Sequence, residues 1–193
     1  MKIYNKNKSN DIFHLNKKKI ECLLFLFFNI LIISCSKGQL SSKDYFKFKS
    51  SKIDFPNSME QCGSFKNNQL KCSYKMLIFR DSLTCTPCYV KSLNDWKVFL
   101  SAFKTNSISL VFVLSPKQDE YTSVKSILHS CHYEWAIYID KVNAFWKANP
   151  QIPKDGIYHC ALLDKYNHVV IIGNPLKNKT IFNMIVKRVN SNN

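Results

Sequence analysis

Glycine is scarce in this chain, four in 193 residues, which leaves no glycine-rich loop to cradle the phosphates of a nucleotide. No Ser/His/Asp arrangement and no carboxylate pair stands out either. Acidic residues are outnumbered by basic ones, 13 to 28, for a net charge of +15; such a balance suits nucleic acid or an anionic membrane surface. Beyond the N-terminal leader, however, the lysines are dispersed, and no aromatic-basic motif of a nucleic-acid module accompanies them. The surplus therefore reads as a generally basic solvated surface, and no nucleic-acid partner is expected. Internal repeats and low-complexity tracts are lacking. So is a second C-x-x-C: Cys62, Cys72 and His129-Ser-Cys-His132 offer further ligands, but only Cys85 and Cys88 are closely spaced, so neither a metal nor any other cofactor is expected.

What the chain does have is Lys75-Met-Leu-Ile-Phe-Arg-Asp-Ser-Leu-Thr-Cys85-Thr-Pro-Cys88. An apolar run with strand character meets a short polar turn, which delivers two cysteines to the start of an amphipathic helix. A helix N-terminus presents unpaired N–H groups and a partial positive charge, which favour thiolate over thiol. Cys85 is thus the expected nucleophile. Cys88, within one turn of it, is placed to displace whatever Cys85 captures. Pro87 fits the first turn, where the N–H it lacks has no helical partner.

The first residues read as an export leader. Lys17, Lys18 and Lys19 precede an apolar run from Cys22 to Ile33, too short for the about 20 residues that cross a bilayer but suited to a secretory h-region. The run ends in Ile32-Ile33-Ser34-Cys35, which resembles a bacterial lipobox. That resemblance implies a signal peptide over 1–34, cleavage before Cys35 and lipidation of Cys35; a plain signal peptide and an uncleaved anchor are the alternatives. Export would place the domain where disulfides persist. Residues 35–52 read as a polar, lysine- and serine-rich tether, in which Tyr45-Phe46-Lys47-Phe48 could add a short edge strand. The folded domain is expected over 53–193.

Within it, a turn at Asn67 would set Cys62 across from Cys72 as a structural disulfide; a turn at Asn67-Asn68 would send the two side chains to opposite faces and leave two free thiols. Lys75 to Arg80 is expected as a buried central strand and Ile108 to Leu114 as a parallel strand covered on both faces. Leu93, Trp96, Leu100 and Phe103 give the core face of the first helix. A second helix from about Asp119 carries Tyr121, Val124, Leu128 and Cys131 on one stripe, which makes Cys131 a core residue. A strand over Trp135 to Asp140 and a short helix over Val142 to Ala148, stopped by Pro150 and Pro153, come next. Tyr158 to Leu163 and His168 to Ile172 then form a hairpin, and a last helix runs from Asn178 to about Val189. His159 and His168 read as a strand residue and an exposed turn residue.

These features, chiefly the strand-Cys85-Thr-Pro-Cys88-helix unit, the hairpin Ala161-Leu-Leu-Asp-Lys-Tyr-Asn-His-Val-Val170 and the closing helix, resemble the thioredoxin-like superfamily. The likeness is to its exported branch, related to the alkyl hydroperoxide reductase/thiol-specific antioxidant proteins and to membrane-tethered thiol-disulfide oxidoreductases. The resemblance implies an α/β three-layer sandwich, with a mixed central sheet and helices on both faces, and reversible dithiol/disulfide exchange. Cys85 matches the attacking thiol, Cys88 the resolving thiol and Pro87 the proline often found between them. Departures are plain: Thr84 stands where a tryptophan is common, Phe79 where thioredoxin has a buried acid, and Tyr158 where the family has a cis-proline. Ile157-Tyr158 is expected to be trans, since a non-proline cis bond costs about 3 kcal/mol. That pair occupies the family's substrate-docking loop. Cys160, in the same strand, has either a redox role or simple burial.

The function expected on these grounds is a lipid-anchored thiol-disulfide oxidoreductase of the cell envelope, held to a bacterial membrane and facing periplasm or surface. Its partners would be a protein disulfide or thiol substrate and an envelope electron donor or acceptor. Peroxidase action would need a Thr/Arg environment around a single peroxidatic cysteine, and no such motif precedes Cys85. The rival is a non-catalytic thioredoxin-like lipoprotein, a binding or structural module whose Cys85–Cys88 bond is structural.

Overall fold

The computed structural model describes residues 42–62, 72–83, 85–104 and 107–191. The leader, Cys35, the first part of the tether and the Asn67-Asn68 turn lie outside the described residues. Helices and strands follow in the order α1 (Ser42–Phe48), β1 (Glu60–Cys62), β2 (Tyr74–Arg80), α2 (Thr86–Lys91), α3 (Trp96–Leu100) and β3 (Ile108–Leu114). Then come α4 (Tyr121–Cys131), β4 (Ala136–Ile139), α5 (Ala144–Ala148), β5 (Cys160–Asp164), β6 (Val169–Ile172) and α6 (Lys179–Asn190).

The strands form one mixed sheet in the order β1-β4-β3-β2-β5-β6. Strand β2 pairs in parallel with β3 and antiparallel with β5. Every residue of β3 is buried, as its unbroken apolar, β-branched run requires of a strand covered on both faces. Alternation then sorts its side chains: Leu110, Phe112 and Leu114 enter one core, Val111 and Val113 the other. The first core takes Val90, Trp96 and Phe99 from α2 and α3, Val124 and Leu128 from α4, and Ile185 and Val189 from α6. The second takes Phe48 from α1, Phe145 from α5, and Ile53 and Ile152 from the segments beside them. Helices on both faces of a mixed sheet make the expected three-layer sandwich.

Three local expectations are corrected. Tyr45 to Phe48 lies in helix α1, because Phe48 is wholly buried and Tyr45, three residues earlier, packs against the same core while Phe46 stays exposed. That is helical spacing, which an edge strand would not give. The packed body therefore begins before residue 53. Cys62 and Cys72 are free thiols, and burial pushes both pKa values up. Cys62 belongs to edge strand β1, which pairs with β4, while Cys72 leads into β2. With β4 and β3 between them, three strand spacings alone put the two positions at least about 14 Å apart, and Cys62 lies level with Ile78, six residues along from Cys72; a disulfide tolerates about 7 Å between Cα atoms. Cys131 is exposed: it is the last residue of α4, and the chain turns away at His132, left-handed at φ 48°, so the end of the stripe lies past the core. The first helix is also broken: a 3-10 turn, Leu93–Asp95, separates α2 from α3, although Leu93 and Trp96 keep their inward positions.

The second core is tied to the chain ahead of β1 by one polar side chain. Asn149, fully buried at the end of α5, donates through Nδ2 to the carbonyl oxygens of Asp54 and Phe145, both at 2.8 Å, and accepts from the Asp54 N–H at 2.9 Å. The segment after α1 also lengthens the sheet: Ser50 N–H donates to Val169 O, and Val169 N–H donates to Ser51 O, each at 2.9 Å.

Candidate active site

Strand β2 leaves the sheet at Arg80 between parallel β3 on one edge and antiparallel β5 on the other, and the helices that lead to those two strands lie on opposite faces, a topological switch point. In open α/β sheets the crevice at the carboxyl end of such a switch point is where ligands bind. The strand is held to its last residues on both sides, Ser115 N–H donating to Arg80 O at 2.8 Å and Phe79 N–H to His159 O at 2.9 Å. Beyond it, Asp81 Oδ1 accepts from Leu83 N–H at 3.1 Å and turns the chain toward α2.

Cys85 is the N-cap of α2, in extended backbone at φ −63° and ψ 99°, and Pro87 occupies the first turn. Its Sγ accepts from the Cys88 N–H at 3.3 Å, and its carbonyl accepts from Tyr89 N–H at 3.2 Å. Cys85 and Cys88 form a disulfide, with Cα atoms 5.5 Å apart, and both residues are exposed. Thr86 between them is completely buried and anchors the turn. The one N–H pointed at Sγ is a helix-terminal donor; in the reduced protein it would hydrogen-bond a thiolate.

Below this rim the sequence left Arg80 and Tyr89 unmarked, and it left Cys160 open between a redox role and simple burial. The Arg80 guanidinium stacks over the Tyr89 ring, 4.2 Å from its centroid, and burial raises the Tyr89 phenol. Cys160 packs in the same core as Val90 and Leu93, and burial pushes its thiol far up, so it is a protonated core residue in the resting fold. His159 is buried, edge-on to Phe79 at 5.0 Å and to Trp146 at 5.9 Å. Burial lowers its pKa, Asp81 opposes that and Arg80 adds to it, so the ring is neutral near pH 7.

Beside the cysteine turn is a cleft of about 390 Å³. Phe79 and Trp146, stacked at 5.3 Å, form its apolar floor. Asp81 and Leu83 supply one wall and Lys147 and Lys154 another, with Leu83 84% exposed. The residues expected to form the docking loop behave differently from each other. Ile157 is exposed on the 3-10 turn Gly156–Tyr158. Tyr158 turns its ring into the second core, 6.1 Å from Phe48. No cis peptide occurs among the described residues. From that loop the cleft receives Lys154 instead. A lysine three residues before the expected pair carried no sequence signal, since only the turn's path brings it to the cysteine side.

No family model and no curated protein sequence matches the chain. Its structure, however, resembles the thioredoxin domain of a thiol-disulfide oxidoreductase from Bacteroides vulgatus, with a TM-score of 0.50 and 16% identity over 73% of this chain and 97% of that one. It is similar to a solved thioredoxin-like superfamily protein at a TM-score of 0.50 and 12% identity, covering 74% and 96% of the two chains. The bacterioferritin comigratory protein of Xanthomonas campestris is also similar, at 0.44 and 12% identity over 72% and 97%. The first two likenesses identify the fold as thioredoxin-like.

Proposed function

We propose that this protein is a thiol-disulfide oxidoreductase, exchanging electrons through Cys85-Thr-Pro-Cys88 and held to the envelope membrane by a lipid on Cys35. The observation that carries the redox reading is an exposed disulfide between a helix N-cap and the residue that donates to its sulfur, at the carboxyl end of the central strand. On a thioredoxin-like scaffold that arrangement supports reversible exchange.

In the reducing direction, the Cys85 thiolate attacks one sulfur of a substrate disulfide, forming a mixed disulfide and expelling the substrate's other sulfur as a thiolate. Cys88, deprotonated, then attacks Cys85 Sγ, releases the remaining substrate thiolate and closes the Cys85–Cys88 bond. Two electrons pass to the substrate, and the two protons given up by the cysteines end on its thiols. A dithiol partner in the envelope reverses the closure. In the oxidising direction the same bonds form and break in reverse order. The apolar floor of Phe79 and Trp146 is where the chain flanking a substrate cysteine would lie.

Insulin disulfide reduction by the wild type and by Cys85→Ser tests the mechanism. Loss of activity in the variant is expected; equal rates would remove Cys85 and leave the binding-module reading. Cys88→Ser is expected to accumulate mixed disulfides on Cys85 in cells, visible on non-reducing gels. Fractionation of Cys35→Ser tests the anchor, which predicts loss of membrane association.

A further inference from the structure

A second cavity, of about 220 Å³, opens on the second-core face of the sheet and is lined by Phe55, Lys75, Val111, Tyr138 and Asn167. It shares no lining residue with the cleft beside the cysteines. Lys75 stands four residues before Phe79, the residue of β2 that lines the cleft, which separates the two places by about 13 Å along the strand.

Lys75 is the unusual member. It sits in a central strand and is only 8% exposed. Its Nζ donates to Asn167 Oδ1 at 2.7 Å and more weakly to Lys165 O at 3.4 Å. Both acceptors are neutral, and an ammonium has three protons to place. Among the described residues no carboxylate reaches ion-pair distance of Nζ. Asp164 acts on it only through space, and the Asp164 oxygens are taken by the Tyr166 and His168 N–H groups and the His168 ring. A buried charge without a counter-ion is costly. Here it lines a cavity whose other walls include two aromatic rings and a valine.

We propose that this cavity binds a small monocarboxylate with an apolar body. The carboxylate takes the free proton of Lys75 Nζ and supplies the missing counter-charge; the body lies among Phe55, Val111 and Tyr138. The volume is below the about 300 Å³ at which sites for drug-sized ligands begin, so the acid is of the size of a single substituted ring or a short branched chain. The bland role for Lys75, pinning the β5–β6 turn through Asn167, predicts no such ligand.

Sodium benzoate titrated into the full chain, followed by calorimetry and by amide NMR shifts, separates the two roles. Saturable benzoate binding is expected, with benzyl alcohol, which keeps the ring and loses the charge, about ten- to hundredfold weaker. Lys75→Met should abolish the preference for the acid. Asn167→Asp provides the decisive variant: aspartate tolerates the left-handed backbone at φ 69° and sets a built-in carboxylate against Nζ. It should keep the fold and weaken benzoate at least about tenfold. Failure of benzoate to bind the wild type, equal binding of benzyl alcohol, or undiminished binding to a folded Asn167→Asp protein would each overturn the proposal.

Discussion

Replacing Asn149 with alanine removes the polar clasp between α5 and the chain ahead of β1, and its cost can be worked out bond by bond. The side chain is wholly buried and makes three bonds with backbone groups, two to Asp54 and one to Phe145, all at 2.8 to 2.9 Å. A fourth, from Gln151 Nε2 at 3.2 Å, comes from a more accessible residue and counts for less. At about 1 kcal/mol for each of the three, the loss is about 3 kcal/mol, since alanine offers their partners nothing in exchange. For a body of this size each kcal/mol moves Tm by about 2–4 °C, so a drop of about 6–12 °C is expected. Thermal unfolding of the oxidised protein by circular dichroism measures it. Asn149→Asp keeps the shape, but it loses both donors and faces its charge toward the Asp54 and Phe145 carbonyl oxygens, so it should be worse than alanine. A shift under about 1 °C for alanine, or aspartate tolerated better than alanine, would refute the clasp.

Two further outcomes are expected. After reduction of the native protein, iodoacetamide should modify exposed Cys85, Cys88 and Cys131 and spare buried Cys72 and Cys160; peptide mass spectrometry that finds Cys160 labelled as fast as Cys131 would contradict the packing of β5. Glu60 is held at about 2, below its ordinary 4.5, by hydrogen bonds from Lys125 first and then Tyr121. A depressed carboxylate adds stability above its unfolded pKa and loses it as pH falls through the folded one. The advantage of the wild type over Glu60→Gln in urea should therefore fade between about pH 4.5 and about pH 2 and shrink with added salt.

The centre of the fold was legible in the sequence because its signals are local. Ile108 to Leu114 is apolar without a break, and only a strand buried on both faces uses such a run. The Asp164-Lys-Tyr-Asn167 turn announced the hairpin, and in the structure Asp164 Oδ1 accepts the Tyr166 and His168 N–H groups while Asn167 adopts φ 69°. The cysteine turn was legible for the same reason. Strand β1 was not: it has three residues, and its partner β4 begins more than 70 residues later, so no local pattern marks it, and the expected pairing of Cys62 with Cys72 fell with it. Phe46, Tyr45 and Phe48 permit either period, and only the depth of Phe48 decides between them. The cleft, neutral His159 and lone Lys75 are products of tertiary placement, assembled from segments distant in sequence.

Strand β2 is clamped by hydrogen bonds along both edges as far as Arg80, and Cys85 already caps the next helix. Opening and closing the sulfur bridge thus has little more than four intervening residues and one helical turn in which to change shape. Another molecule that distinguishes the two oxidation states must press directly on that rim. The far side of the sheet, locked in register, carries no news of the electrons.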